Sequence, residues 1–476
     1  MATRGFLGLK SGFPVLKIMA DAADDPEATS NTDWEKFRFN SETTEYSYID
    51  DIIEWPMGTT TYYPPGSNSS NYVLKNEVIS GYDWVFCHAA RAIAYYGFLP
   101  LILHRSYDPA TGKIYYFRLT SAGLNGNPLA MGKVKNITSS AWLSAFFNSS
   151  GTGHPDEMLC GYPLTDFGYA NMSVVTRFPC DRDYTALTGV PVPGDCFAVF
   201  DEKTGKARVA RGGFDARTAS RTQCMIHEDQ RPIGVVTQGF ASSIAAGATV
   251  TIPTGVDVPD GAFPFLIGAN SSGNMASLST PTASFVTPGM AFEAEIVGND
   301  VKITNRNNQA VSCFYLVLVE SKDPPTSGGG GKILYTEDGE IKIMRPGADV
   351  SAPVPADILL WSQYKYCPVV AYGKIAGTSF AGTPGSLTLR TYDLTIPALD
   401  NPPIILTAIQ KVGASANMND GDILIDGRWT AGFTGAPLWL SYYWEYDASA
   451  DKVKFTVYDE DNGNWVLRYY VLAVPN

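Results

Sequence analysis

The sequence predicts an all-β protein of three tandem β-sandwich-like units, the first carrying a loop-rich insertion. Composition is the first observation behind this prediction. Only 17% of the 476 residues are charged, against ~25% in an ordinary domain, while Gly (45), Pro (31), Tyr (26) and Phe (23) are abundant. Aromatic side chains suit a half-buried pleated surface, and Gly and Pro suit the turns between short strands. The second observation is an internal repeat, which sets the number of units.

The repeat is clearest between residues 205–216 and 339–350, which align without a gap. Apolar residues alternate in both segments, and this period of two predicts a strand. A glycine and then an aspartate follow, a combination that predicts a sharp turn closed by the aspartate side chain. The identical pairs are Gly205/Gly339, Arg211/Arg345, Gly213/Gly347 and Asp215/Asp349.

A more diverged copy opens the chain at residues 16–24, where the Lys-Ile-Met sequence of residues 342–344 recurs at residues 17–19. Ala22 stands where the other copies have glycine, so this turn must differ. On the repeated strand we expect Lys17, Arg208 and Lys342 to occupy equivalent, outward-facing positions between inward-facing apolar neighbours.

The ends of the units repeat as well, because residues 314–319 and 469–474 have the same closing-strand pattern. Residues 107–117 and 446–456 share a strand–turn–strand pattern. The units therefore run over residues 1–200, 201–322 and 333–476. Residues 323–332 contain a run of four glycines and predict a flexible linker that lets the third unit swing. The first unit is oversized, and its excess near residues 120–195 is interpreted as an insertion, with a candidate helix at residues 139–147.

No catalytic motif is evident, and we expect no enzyme activity, no metal and no organic cofactor. The four histidines are far apart in sequence. His154 and His227 each lie beside acidic residues that can bind a cation weakly, but a solvated turn is the favoured interpretation. Adjacent acids such as Asp50 and Asp51 are also expected on turns, whereas glycoside hydrolysis needs two carboxylates ~5–9.5 Å apart across a cleft.

Charge and hydropathy exclude other classes of function. The net charge is −13 and there is no cluster of basic residues, which argues against nucleic-acid binding. No run of 18 apolar residues predicts a membrane span, and the N-terminus has no signal-peptide pattern. Seven scattered cysteines favour reduced thiols, although two of Cys160, Cys180 and Cys196 remain candidates for a pair.

The densest aromatic segment, residues 439–446, is the candidate interaction surface. Alternation sends Tyr442, Trp444 and Tyr446 to one face of a strand, and Trp439 and Tyr443 to the other. One face must belong to the core. The other face can contact a neighbouring chain or stack on sugar rings, with core or subunit packing the preferred interpretation.

The repeated strand, its Arg-x-Gly-x-Asp turn and a later apolar–Ser segment (Phe39-Asn40-Ser41 and Trp361-Ser362) resemble a repeat in structural proteins of tailed bacteriophages, especially tail-tip and tail-fibre components. The resemblance implies a virion protein that connects parts of the tail or aids host attachment. Its partners would be other virion proteins and a host surface glycan or protein. The motif is structural and implies no catalytic residue.

Two alternatives remain open: a capsid decoration or head-fibre protein, and a carbohydrate-binding or carbohydrate-cleaving β-protein. Open sheet edges also invite pairing with another chain. We therefore expect a homo-oligomer, with a trimer as the first hypothesis and contacts concentrated in the first and last units.

Overall fold

A computed structural model gives the fold of most of the chain. It describes residues 5–10, 13–42, 45–46, 48–49, 51–56, 72–79, 82–89, 100–108, 112–117, 159–160, 172–179, 194–269, 275–276, 291–305, 310–320, 332–337, 339–349, 351, 353–385, 389–413, 423–424, 428–430, 438–459 and 462–474. These residues form strands, turns and short 3-10 helices without any α-helix, so the predicted all-β class is confirmed. Among them, no helix has the length and apolar character needed to cross a membrane.

The strands are numbered in chain order. They are β1 Gly5–Lys10, β2 Phe13–Met19, β3 Phe37–Asn40, β4 Glu45–Tyr46, β5 Tyr48–Ile49, β6 Asp51–Pro56, β7 Tyr72–Ile79, β8 Tyr82–Ala89, β9 Pro100–Asp108, β10 Lys113–Phe117, β11 Leu159–Cys160, β12 Met172–Pro179, β13 Ala198–Asp201, β14 Lys206–Ala210, β15 Cys224–Ile226, β16 Arg231–Pro232, β17 Gly234–Ile244, β18 Thr249–Pro253, β19 Ala262–Ala269, β20 Met275–Ala276, β21 Ala291–Val297, β22 Asp300–Asn305, β23 Val311–Val319, β24 Leu334–Tyr335, β25 Lys342–Met344, β26 Ile358–Trp361, β27 Lys365–Tyr366, β28 Pro368–Ala376, β29 Leu389–Thr395, β30 Ile404–Lys411, β31 Ile423–Leu424, β32 Arg428–Thr430, β33 Leu438–Asp447, β34 Lys452–Asp459 and β35 Trp465–Leu472. Within the described segments, 3-10 helices span Trp34–Lys36, Arg221–Gln223, Pro355–Asp357 and Gly377–Ser379.

Each of the three sequence copies forms a small three-stranded antiparallel sheet, which we name a repeat sheet. The repeat sheets are β1-β2-β3, β13-β14-β15 and β24-β25-β26. The pairing of the second and third strands slips by one residue at the same place in all three. The slips lie between Ile18/Met19, Val209/Ala210 and Ile343/Met344. An irregularity shared at equivalent positions shows that the sequence repeat is also a structural repeat.

The turn after the repeated strand follows the predicted aspartate chemistry in two copies. Asp215 and Asp349 each accept the backbone N–H two residues further on, at 2.9 Å. In the first copy Asp25, rather than Asp24, accepts the equivalent bond from Glu27 at 3.0 Å. The first turn therefore differs, as Ala22 predicts. Each turn leads into a 3-10 helix that immediately precedes the third strand.

The prediction that the repeated cations face outward is wrong. Lys17 is fully buried, and Arg208 and Lys342 are largely covered. A carboxylate compensates each charge, with Lys17 Nζ 2.6 Å from Glu42 and Arg208 Nε 2.8 Å from Glu228. Lys342 Nζ lies 2.9 Å from Glu340 and 4.5 Å from the Trp361 ring centre. The three positions are nevertheless equivalent, and both faces of the repeat sheet are covered.

The larger sheets share a second pattern. The closing strand of the second unit, β23, lies between β17 and β19, and that of the third unit, β35, lies between β28 and β30. In the first unit β12 has the same position, between β6 and β9. We call β6, β17 and β28 the long strands of their units. In the second and third units the long strand slips between Val235/Thr237 and between Val369/Ala371. Gly239 then lies opposite Tyr315, and Gly373 lies opposite Tyr469. The two units thus share long-range pairing as well as their opening motif.

The larger sheets also cross the unit boundaries. Strand β10 of the first unit pairs with β21 of the second, and β20 of the second unit pairs with β33 of the third. Three separate sandwiches are therefore not confirmed. Residues 172–179, within the predicted insertion, form the strand next to the edge strand β6 in a seven-stranded sheet. The candidate helix at residues 139–147 and all of the linker except Lys332 lie outside the described residues.

Gly377 lies at a close approach between two segments of the third unit. A Cβ atom there would lie 2.6 Å from the Gly463 carbonyl oxygen and 2.6 Å from the Trp465 ring. We expect Gly377→Ala to lower the free energy of unfolding by about 1–3 kcal/mol, because neither the backbone nor the buried ring can move freely. Urea denaturation is the measurement, with the neighbouring exposed Thr378→Ala as control. Equal stability of the two variants would contradict this packing.

Candidate functional site

The predicted aromatic surface is largely core. Tyr442, Trp444 and Tyr446 are 1–5% exposed and belong to the main hydrophobic cluster, so they do not form an interaction surface. The predicted alternation is correct for this face of β33. The Tyr442 hydroxyl lies 3.2 Å from that of Thr407, within hydrogen-bonding distance. The side chains of Trp439 and Tyr443 lie outside what the structure describes.

His227 has a structural environment rather than a ligand-binding one. Its ring is buried, and Nδ1 accepts the backbone N–H of Asp229 at 3.1 Å. Burial lowers the pKa of His227, which favours the neutral ring. Among the described residues no group of three acidic, histidine or cysteine side chains can hold a metal ion. His154 lies outside those residues. Cys196, Cys224, Cys313 and Cys367 are free thiols.

A ring of contacts between the three units is the most distinctive site in the molecule. Each unit has a two-residue strand shortly before its long strand: β4 in the first unit, β16 in the second and β27 in the third. This short strand pairs with the segment that follows the equivalent short strand in another unit, namely β5 in the first unit, β17 in the second or β28 in the third. β16 of the second unit pairs with β5 of the first. β27 of the third unit pairs with β17 of the second. β4 of the first unit pairs with β28 of the third, which closes the ring.

The three pairings, which we name the junction ring, are equivalent residue by residue. Gly234 pairs with Tyr366 and Val235 with Lys365. Pro368 pairs with Tyr46 and Val369 with Glu45. Tyr48 pairs with Pro232 and Ile49 with Arg231. Residues 231–235 match residues 365–369 at the same spacing of 134 residues that relates the two repeat sheets. The first unit is one residue longer between the third strand of its repeat sheet and β4, where Phe39 precedes Glu45 by 6 residues and Leu360 precedes Lys365 by 5. The ring therefore has an approximate threefold arrangement.

Arg345, the motif arginine of the third unit, ties that unit to the second. Its guanidinium donates hydrogen bonds to the backbone carbonyls of Glu228 and Gln230 in the second unit, and to that of Ala356 in its own. The side chain is buried, which lowers its pKa to about 10. Arg211, the equivalent residue of the second unit, is also buried, whereas the first unit has Ala20. The sequence repeat identifies this arginine, but it does not predict the carbonyl groups that the side chain bonds.

The serine of the apolar–Ser segment accepts a hydrogen bond from the backbone at the repeated strand. Ser41 Oγ accepts the Leu16 backbone N–H at 2.8 Å, and Ser362 Oγ accepts that of Ile341 at 3.0 Å. In the second unit Glu228 occupies this position, and its carboxylate accepts the Ala207 N–H at 3.2 Å. The residues that carry the resemblance therefore hold backbone together in the described structure.

A shared core lies beneath the ring. Buried apolar residues from all three repeat sheets form one cluster, so no unit completes this core alone. Its members include Leu16, Ile18 and Phe39 of the first unit, Ala207, Val209 and Ile226 of the second, and Ile343, Met344 and Leu360 of the third.

Lys365 is a destabilising charge within the junction ring. The pKa of Lys365 is lowered to about 8, mainly by burial and also by the positive charge of Arg38 in the first unit. Because the folded pKa lies below the unfolded value of ~10.4, the unfolded chain binds this proton more readily. We expect stability to rise as pH increases from about 8 to 10, and Lys365→Met to remove much of this rise and to stabilise the protein at pH 7. Denaturation across this pH range is the measurement, with exposed Lys203→Met as control. A rise unchanged by Lys365→Met would contradict the assignment.

Comparisons of the chain with protein-family models, curated proteins and solved structures give no match. The described residues themselves thus supply the argument for function. They define an all-β protein in which three repeat-bearing units pair with one another through short strands, and in which the motif arginine of the third unit bonds the second.

Proposed function

We propose that this chain is a non-enzymatic structural protein of a tailed-bacteriophage virion, a tail-tip or tail-fibre component that aids host attachment. The observation that carries the proposal is the junction ring. Three motif-bearing units pair in a closed cycle around a shared core. In the third unit the motif arginine, Arg345, adds hydrogen bonds to the second unit, and the motif aspartates and serines bond backbone within their own units. The motif residues are used for backbone contacts, which supports a scaffolding role.

The geometry also suits a symmetric particle. Closed cyclic symmetry is the general rule for protein assemblies. A body with three equivalent units around an approximate axis can occupy a threefold position in a larger structure. Other virion proteins are therefore the proposed partners, together with a host surface glycan or protein. A capsid decoration or head-fibre protein would use the same geometry at another position.

Electron microscopy of virions labelled with an antibody to the chain tests the proposal directly. Label at the distal tail and slower host adsorption of virions lacking the chain are the expected results. Label on the head would favour the decoration alternative. Virions without label, alongside positive label for a known tail protein, would overturn both.

A glycan array with the purified chain tests the carbohydrate alternative. Because Tyr442, Trp444 and Tyr446 are buried, this face cannot stack on sugar rings. Sugar binding abolished by a change at Trp439 would instead support a carbohydrate site on the opposite face of β33.

A further inference from the structure

The junction ring has the connectivity of a cyclic homotrimer. In a head-to-tail interface each subunit offers one surface to the next and a different surface to the previous one, and a suitable rotation closes the ring. Each unit here follows this rule. The second unit, for example, gives β16 to the first unit and receives β27 of the third along β17.

We infer that the chain is a single-chain trimer, in which the surface of each unit that would bind another subunit already binds another unit of the same chain. The partner that this interface fits is another repeat unit. In all three junction-ring pairings that partner is a unit of the same chain. This inference goes beyond the proposed function and does not depend on where the protein is located. The sequence predicts a trimer of three chains. The inference instead gives one chain, whose three units occupy the places of the three subunits.

The large sheets also contain strand pairings between units, and these again join the second unit to the first and the third unit to the second. The second unit adds β21 to the edge strand β10 of the first. The third unit adds β33 to β20 of the second. Two sets of strand pairings thus place the second unit against the first and the third unit against the second.

The third unit is consequently held in place by contacts rather than by the linker. It pairs through β27 and β33 with the second unit and through β28 with the first. Arg345 adds its hydrogen bonds to the Glu228 and Gln230 carbonyls. These contacts argue against the expectation that residues 323–332 let this unit swing.

Cutting the linker of the intact protein tests the inference. A protease site placed among Gly328–Gly331 leaves the full chain in its native fold until the protease is added. We expect native mass measurement to give one chain of 51.5 kDa before cutting. After cutting, the two fragments should remain together as one copy of each. A mass of three chains before cutting, or separation of the fragments in native buffer, would overturn the inference.

A variant pair shows whether the observed contacts hold the fragments together. Arg345→Met should raise the dissociation constant of the cut fragments roughly 10- to 100-fold, because it removes charge-assisted hydrogen bonds to buried carbonyls. Arg217→Met is the control, since Arg217 is exposed and its partners, Asp215 and the Gly194 carbonyl, both lie in the N-terminal fragment. Equal effects of the two substitutions would overturn the role of this interface in fragment association. The readout is independent of any virion, so its failure is distinguishable from failure of the proposed function.

Discussion

Replacing Arg390 by Met is expected to lower the free energy of unfolding by about 3–5 kcal/mol, because the change leaves a buried charge without its partner. Arg390 and Asp459 are fully buried, and Nη1 donates to the carboxylate at 2.8 Å. Nη2 donates to the carbonyls of Gly377 and Phe380 at 2.8 Å each. The substitution therefore removes the guanidinium that pairs with the buried Asp459 carboxylate and also leaves two buried carbonyls without this donor.

Urea denaturation measures this effect, and Arg217→Met provides the control. Arg217 pairs with Asp215 at the surface, where an ion pair contributes about 0–1 kcal/mol. The double variant Arg390→Met/Asp459→Leu should recover part of the loss, since it removes both charges. A loss below about 1 kcal/mol for Arg390→Met, in the low range typical of exposed pairs, would contradict a buried ion pair.

Replacing Arg345 by Met is expected to cost about 2–4 kcal/mol, because three backbone carbonyls lose a charged donor where two units meet. Arg345→Lys should give an intermediate loss, since one ammonium group cannot reproduce the forked geometry of the guanidinium. Chemical denaturation gives the energies. Near-ultraviolet circular dichroism reports on Trp361 and Tyr364, two aromatic residues of the third unit whose ring centres lie 5.0 Å apart. A loss under about 0.5 kcal/mol for Arg345→Met would be typical of a surface substitution and would contradict the contact.

The all-β class, the three starts of the repeat and the form of two turns could be predicted from the amino-acid sequence. These features depend on local chemistry. Gly213 and Gly347 have φ of +83° and +88°, the left-handed region that glycine enters without a Cβ clash. The side chains of the aspartates two residues later then close the turns by accepting the backbone N–H groups of Arg217 and Ser351. Residues 107–117 and 446–456 also share their predicted hairpin, with Lys113 opposite Asp108 and Lys452 opposite Asp447.

Which faces of the strands are covered, and which units pair, depends on tertiary contacts that the sequence pattern does not contain. A period of two separates the two faces of a strand, but it does not show whether a second layer lies over the polar face. Lys17 is therefore buried beside Glu42, although alternation predicts an exposed position. Strand pairing between distant segments depends on how the units meet, and a two-residue strand such as Lys365–Tyr366 has no periodic pattern of its own. The junction ring and the Arg345 bonds to Glu228 and Gln230 arise from that meeting of units, since they join groups far apart in sequence.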